Sequence, residues 1–294
     1  MNQFKTVALL GLLSALLITI SHSVIGGAAG VLLGIAFAAI TNLGAWYYSD
    51  RIALTAYQAQ PVSAAQAPGL HRVVAKLAQR ANIPTPKVYV IPGQAANAFA
   101  TGRDPQHAAV AVTQGILNLL SEAELEGVIA HELSHILNRD TLTQAVAATI
   151  AGAISFLAQI LSYSLWFGGA SRDNEGGNPL GILATVLFAP LAATVIQLGI
   201  SRTREFAADA GAAQLTGNPR ALAQALQRLE ASAQRRPLAG NPAFAPLLIV
   251  NAMPKAGLNN LFSTHPSTQA RIERLLALEQ TLPNQLRHQA VFGI

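Results

Sequence analysis

The sequence predicts a mainly α-helical integral membrane protein, with four transmembrane helices and an α+β domain that holds a small sheet. Three observations carry this. Of 294 residues, 51% are hydrophobic and only 11% charged, well below the roughly 25% usual for a soluble domain. The charges also avoid three stretches: residues 6–49, 141–171 and 176–201 contain no Asp, Glu, Lys or Arg. Outside those stretches the chain shows the mixed periodicities of a water-exposed domain. A crossing takes about 20 apolar residues. The first stretch is long enough for two crossings, with the polar run Ser21–Ser23 as their turn, and each of the others for one.

Four pieces follow in order: an N-terminal transmembrane hairpin (1–49), the first half of the domain (50–140), a second hairpin (141–200) and the second half (201–294). The run after Lys5 has the charge and apolar core of a signal peptide. No A-x-A site follows it and a second apolar run comes at once, so it reads as a retained span.

In the first half, "GLHRVVAKLAQRAN" (69–82) places Leu70, Val73, Val74 and Leu77 on one helical face, and "KVYVIP" (87–92) reads as a strand. "NAFATG" (97–102) and "AAVAVT" (108–113) flank the turn-rich "RDPQH" and read as a hairpin. Residues 121–140 form one helix, with Ser121 and Glu124 as a capping box and an acidic first turn that suits the helix dipole. In the second half, residues 201–217 continue helically out of the fourth span. Residues 218–233 open on an Asn cap with Pro at the first helical position, and 267–280 form a late helix.

Composition excludes several functions. The absence of cysteine removes disulfides, thiolate metal sites and a cysteine nucleophile, so any metal is held by His and carboxylate. The net charge of +5 is scattered. Arg235–Arg236 is its densest basic point, too little for a nucleic-acid surface.

"HELSH" puts His131 and His135 one helical turn apart on one face. Two imidazoles can converge there on one ion, with Glu132 set aside to act on a water as general base. A catalytic zinc takes three protein ligands and keeps one position open. The third candidate is Glu205, with Asp209 at i+4 on the same face to receive the second ring N–H of a histidine, His131. Taken alone, the Glu205–Asp209 pair also reads as a solvated face paired with Arg202 or Arg204. In the tail, His265 and Arg271 are candidate donors to the oxyanion of a tetrahedral intermediate. They also read as a packing histidine and a structural salt bridge.

Together "HELSHILNRD" (131–140), "SRTREFAADAGAA" (201–213) and "STHPSTQARIERL" (263–275) resemble the HtpX-type bacterial heat-shock membrane zinc endopeptidases, gluzincins related to the CAAX prenyl proteases. The resemblance covers nearly the whole chain. It implies a gluzincin-like domain with one Zn2+ held by His131, His135 and Glu205, and Glu132 as base. It implies cleavage of polypeptides, in particular misfolded or damaged membrane proteins, in or beside the bacterial inner membrane. "NAFATG" is similar to the family's substrate edge, so Asn97, Ala98, Phe99, Ala100, Thr101 and Gly102 are expected to bind an extended substrate by backbone pairing.

His135 and Glu205 must share a compartment, so the chain crosses the bilayer an even number of times between them. Lys5, Arg51, Arg139, Arg202 and Arg204 border the spans on one side, and Arg172, beside Asp173 and Glu175, on the other. The positive-inside rule then places the catalytic domain and both termini in the cytoplasm. Two rivals are a site-2-type protease with its motif inside a span and a non-enzymatic scaffold or transporter with a structural metal. Charges flank the motif on both sides, which opposes the first. A structural site would need a fourth protein ligand, and the sequence offers none.

Overall fold

The structure, a computed structural model, describes residues 2–151, 202–238, 242–250 and 266–292. Two helices, α1 (Asn2–Ile25) and α2 (Gly27–Ala56), form the N-terminal hairpin. Its turn falls at Gly26 and Gly27, with φ of 77° and 56°, rather than at Ser21–Ser23. Only glycine takes that conformation without a steric penalty, so the chain reverses where the glycines stand. A Cβ on Gly30 would lie 2.9 Å from the Ser21 carbonyl oxygen, and one on Gly34 2.7 Å from Ile18 Cα. The two backbones therefore touch, as small residues allow in membrane hairpins. Asn42 Nδ2 reinforces the contact by donating to Ser14 Oγ at 2.7 Å.

The outward face of α2 leaves Leu32, Ile40 and Leu43 66%, 69% and 66% exposed. Among the described residues α2 is the one helix long and apolar enough to cross a membrane, and α1 carries a shorter apolar run, Thr6–Thr19. The expected third and fourth spans lie outside the described residues, apart from residues 140–151, which are helical. Helix α2 runs past the expected boundary at residue 49 and delivers Ala53, Leu54 and Tyr57 into the domain's core.

The sheet has four strands, β1 (Gln60–Pro61), β2 (Lys87–Ile91), β3 (Ala98–Thr101) and β4 (Ala109–Thr113), in the order β1-β2-β4-β3. The expected hairpin is present: β3 and β4 pair antiparallel, Phe99 opposite Ala111. Strands β2 and β4 run parallel, leaving β3 at the edge. Both faces of the hairpin are covered. Ala98, Ala100, Val110 and Val112 pack towards the helices that follow, whereas Phe99, Ala109 and Ala111 pack on Tyr57, Leu54 and helical residues 146–151.

The helices follow: α3 (Pro68–Arg80), α4 (Gln114–Leu119), α5 (Glu122–Leu137), α6 (Arg202–Thr216), α7 (Pro219–Arg235) and α8 (Thr268–Phe292). Helix α5 has the expected capping box, Ser121 and Glu124 each bonding the other's backbone N–H. Such a cap stabilises a helix by about 0.5–2 kcal/mol. The single helix expected over 121–140 is two. It stops at Leu137, Arg139 takes φ 55°, and a new helix begins at Asp140. Helix α7 starts as expected, the Asn218 side chain accepting from Ala221 N at 3.1 Å.

Candidate metal centre

Helix α5 aims His131 and His135 at Glu205 on α6, and all three are buried. The helices approach closely because Gly211 faces Ser134, where a Cβ would come 2.6 Å from Ser134 Oγ. His131 Nε2 lies 3.2 Å from His135 Nε2 and 3.6 Å from Glu205 Oε2, and His135 Nε2 lies 3.5 Å from Glu205 Oε1. Zinc bonds of roughly 2.0–2.1 Å at tetrahedral angles put neighbouring ligand atoms about 3.3–3.4 Å apart. The two imidazole nitrogens thus stand near that spacing, each has a different Glu205 oxygen at 3.5–3.6 Å, and one ligand atom from each of the three residues lies within 4.8 Å of the others.

The far side of each imidazole is held by a carboxylate. His131 Nδ1 lies 3.0 Å from Asp209 Oδ1, and His135 Nδ1 3.2 Å from Asp140 Oδ2. A neutral imidazole that donates its Nδ1–H to such a carboxylate turns its Nε2 lone pair to the shared centre, as a metal ligand requires. The Asp209 partnership is the one expected from the sequence. Asp140 is a residue that sequence reasoning missed. On an unbroken helix it would point elsewhere, and the reversal at Arg139 brings it back to His135. Its one signal is its place five residues after His135 in "HILNRD".

Arg271, on α8, is 2% exposed and reaches the site itself, its Nη2 3.4 Å from His131 Nε2 and its Nη1 3.9 Å from Glu205 Oε2. Its Nη2 donates to Asp209 Oδ1 at 2.7 Å, its Nε to Oδ2 at 2.9 Å and its Nη1 to the Ile249 carbonyl at 3.0 Å. These bonds form a buried salt bridge, and they leave the guanidinium beside His131 and Glu205. Burial would raise the Asp209 carboxyl, but Arg271 and the bonds from His131 and Arg271 hold it down at about 2. Burial and the Arg271 charge push the His131 imidazole down, yet the bonds to Asp209 and Glu205 lift it to about 9. The pocket therefore favours positive charge between the rings. His265 lies outside the described residues.

Glu132 points from α5 to the edge strand, where its Oε2 accepts from Ala100 N at 2.7 Å. Burial raises its carboxyl above the ordinary value, against the opposing pull of His131 and His135. A raised carboxyl is nearer the range in which a general base works at neutral pH. Of the expected substrate edge, Phe99 and Thr101 turn their backbone bonds inward to β4, whereas Ala98, Ala100 and Gly102 turn theirs outward. Asn97 is buried, its Nδ2 donating to the Val250 carbonyl at 2.9 Å.

A sequence profile for peptidase family M48 matches residues 64–279. The chain belongs to that family. Its curated relatives include a "Protease HtpX homolog" of Nostoc punctiforme, 70% identical over 285 residues, covering 97% of this chain and 99% of the relative. Another, of Pyrococcus furiosus and with the same description, is 49% identical over 272 residues, covering 92% and 94%. Among solved structures, S. mikatae Ste24p shares the fold at a TM-score of 0.51 and 21% identity, over 90% of this chain and 62% of that one. This M48 chain is accordingly a membrane-associated metallopeptidase, and the resemblance drawn from its three motifs holds. The scaffold reading is not favoured.

Proposed function

We propose that the chain is a membrane-embedded zinc endopeptidase in which His131, His135 and Glu205 hold one Zn2+ and Glu132 is the general base. The observation that carries this is the buried convergence of His131, His135 and Glu205, one ligand atom of each within 4.8 Å of the others, with a carboxylate behind each imidazole. A zinc ion there supplies a Lewis acid that activates water and polarises a carbonyl. Glu132 lies beside the donors yet outside the trio. It takes the proton of the attacking water and passes it to the leaving amine. Asp209 and Asp140 keep the imidazoles in the tautomer that presents Nε2. Arg271 positions Asp209, with a part in oxyanion binding left to His265.

The substrates proposed are misfolded or damaged membrane polypeptides, bound extended along residues 97–102. The setting proposed is the bacterial inner membrane, crossed four times, with the catalytic domain and both termini cytoplasmic. Glu132→Gln tests the chemistry. Zinc content stays near wild type, because the three ligands are untouched. Hydrolysis of unfolded casein falls by roughly 10²–10⁴-fold, the usual contribution of a general base. A variant that keeps wild-type hydrolysis with zinc bound removes Glu132 from the mechanism.

A further inference from the structure

The edge strand is already engaged. Asn97 bonds inward, its carbonyl accepting from Thr113 N at 3.0 Å, and bonding alternates along an antiparallel strand. Ala98 and Ala100 therefore carry the outward groups. Ala100 N already donates to Glu132 Oε2 at 2.7 Å and Ala98 N to Asn97 Oδ1 at 3.0 Å, so their carbonyls are the groups an added peptide would use. Ala98 O accepts from Ile249 N at 3.0 Å, and Asn97 Nδ2 donates to Val250 O at 2.9 Å. Ile249 O accepts from Arg271 Nη1 at 3.0 Å. Leu248, Ile249 and Val250 are 2%, 2% and 7% exposed and pack into the hydrophobic core on both sides of the edge strand. This stretch follows a short 3-10 turn, Pro242–Leu247, and among the described residues its backbone bond to the edge strand is made by Ile249.

Ile249 thus presents its N–H to the strand and its carbonyl to a buried guanidinium, as one residue of an extended peptide would. The same guanidinium holds Asp209, which orients His131. Resting on the peptidase reading above, we propose that residues 248–250 are a built-in competitor of substrate. They close the edge at Ala98 and leave it before a polypeptide pairs along residues 97–100. The rival arrangement is a permanent extension of the sheet, with substrate confined to the strand beyond Ala98.

A competitor of this kind lowers apparent affinity by the fraction of molecules in which the groove is open. Weakening it lowers KM and leaves kcat alone. Ile249→Pro deletes the N–H that Ala98 O accepts while touching no proposed zinc ligand. With zinc-loaded full-length protein and unfolded casein, KM is expected to fall about 2–10-fold, at unchanged kcat and zinc content. An unchanged or higher KM with zinc retained overturns the proposal.

A second measurement needs no change in the segment. In the zinc-loaded Glu132→Gln protein, hydrogen exchange of the Ile249 amide is slow alone. It speeds up several-fold at casein concentrations above the wild-type KM. Protection that persists under saturating casein marks 248–250 as a permanent part of the sheet and overturns the proposal even if Ile249→Pro does not fold. The peptidase reading fails separately, through a wild type that binds zinc and cleaves nothing.

Discussion

Asp140 and Asp209 do the same work for different histidines, and their surroundings separate them. Asp209 is tied to Arg271 by two bonds of 2.7 and 2.9 Å, whereas the Asp140 carboxylate has the Arg204 guanidinium at 3.6 Å. Asp140→Asn should weaken zinc binding by about 10–100-fold, the usual loss when a group orienting a ligand is changed. A zinc-chelator competition titration reads it. Asp209→Asn should lose as much affinity and also lower the melting temperature, because breaking a buried ion pair leaves an uncompensated charge worth about 3–5 kcal/mol. A wild-type melting temperature for Asp209→Asn would show that Arg271 does not depend on Asp209. Glu205→Ala should lose zinc outright while the circular dichroism of the helices persists. Stoichiometric zinc after this change would place the third ligand elsewhere. His131, His135, Glu205 and Asp209 were legible because each pair is one helical turn apart, a relation that sequence alone fixes. Asp140 and the Arg271–Asp209 pair were not. The first needs a backbone reversal at Arg139, and the second joins residues 62 positions apart.

The closeness of α5 and α6 sets whether the trio can form at all. Their contact at Gly211 and Ser134 has no spare room: a methyl on Gly211 meets Ser134 Oγ at 2.6 Å and Cβ at 3.0 Å. Gly211→Ala should push the Glu205 helix away from the histidines and weaken zinc binding by at least tenfold, about 1.4 kcal/mol. Adding Ser134→Ala removes the nearer atom and should recover part of that loss. A double variant no better than the single one would locate the strain elsewhere. At this scale local signals served well. The capping box, the Asn218 cap and the β3–β4 hairpin all lie where turn chemistry and short periodicity put them. The parallel β2–β4 pairing and the seating of residues 248–250 on the strand edge were not legible. Both depend on contacts between distant segments, for which no single stretch carries a signature.

The whole molecule is organised by where the lipid stops. The exposed apolar face of α2 gives way to Trp46, Tyr47 and Tyr48, about half exposed, in the manner of residues at a membrane interface. Arg51 lies over the Tyr48 ring at 5.5 Å, and Arg103 over the Tyr47 ring at 4.8 Å. Arg103 belongs to the β3–β4 turn, so that turn stands level with the aromatic residues. At a rise of about 3.4 Å per residue, Ala100 and the Glu132 carboxylate that accepts from it lie roughly 10 Å further on. A polypeptide leaving the bilayer would meet the edge strand within a few residues. This requires the domain's two halves to share that side, so the chain between His135 and Glu205 crosses an even number of times. The chain contains no cysteine, so single introduced thiols report position without interference. Ser171→Cys, between the third and fourth spans proposed from the sequence, and Gln234→Cys, exposed on α7, should label with an impermeant maleimide from opposite sides of sealed vesicles. Under the orientation proposed above, with Arg51, Arg139, Arg202 and Arg204 on the cytoplasmic side, Gln234→Cys should react only from that face. If both positions label from one side, the second hairpin does not return through the membrane as drawn here. If they label from opposite sides but Gln234→Cys faces outward, the crossings stand and the orientation is reversed.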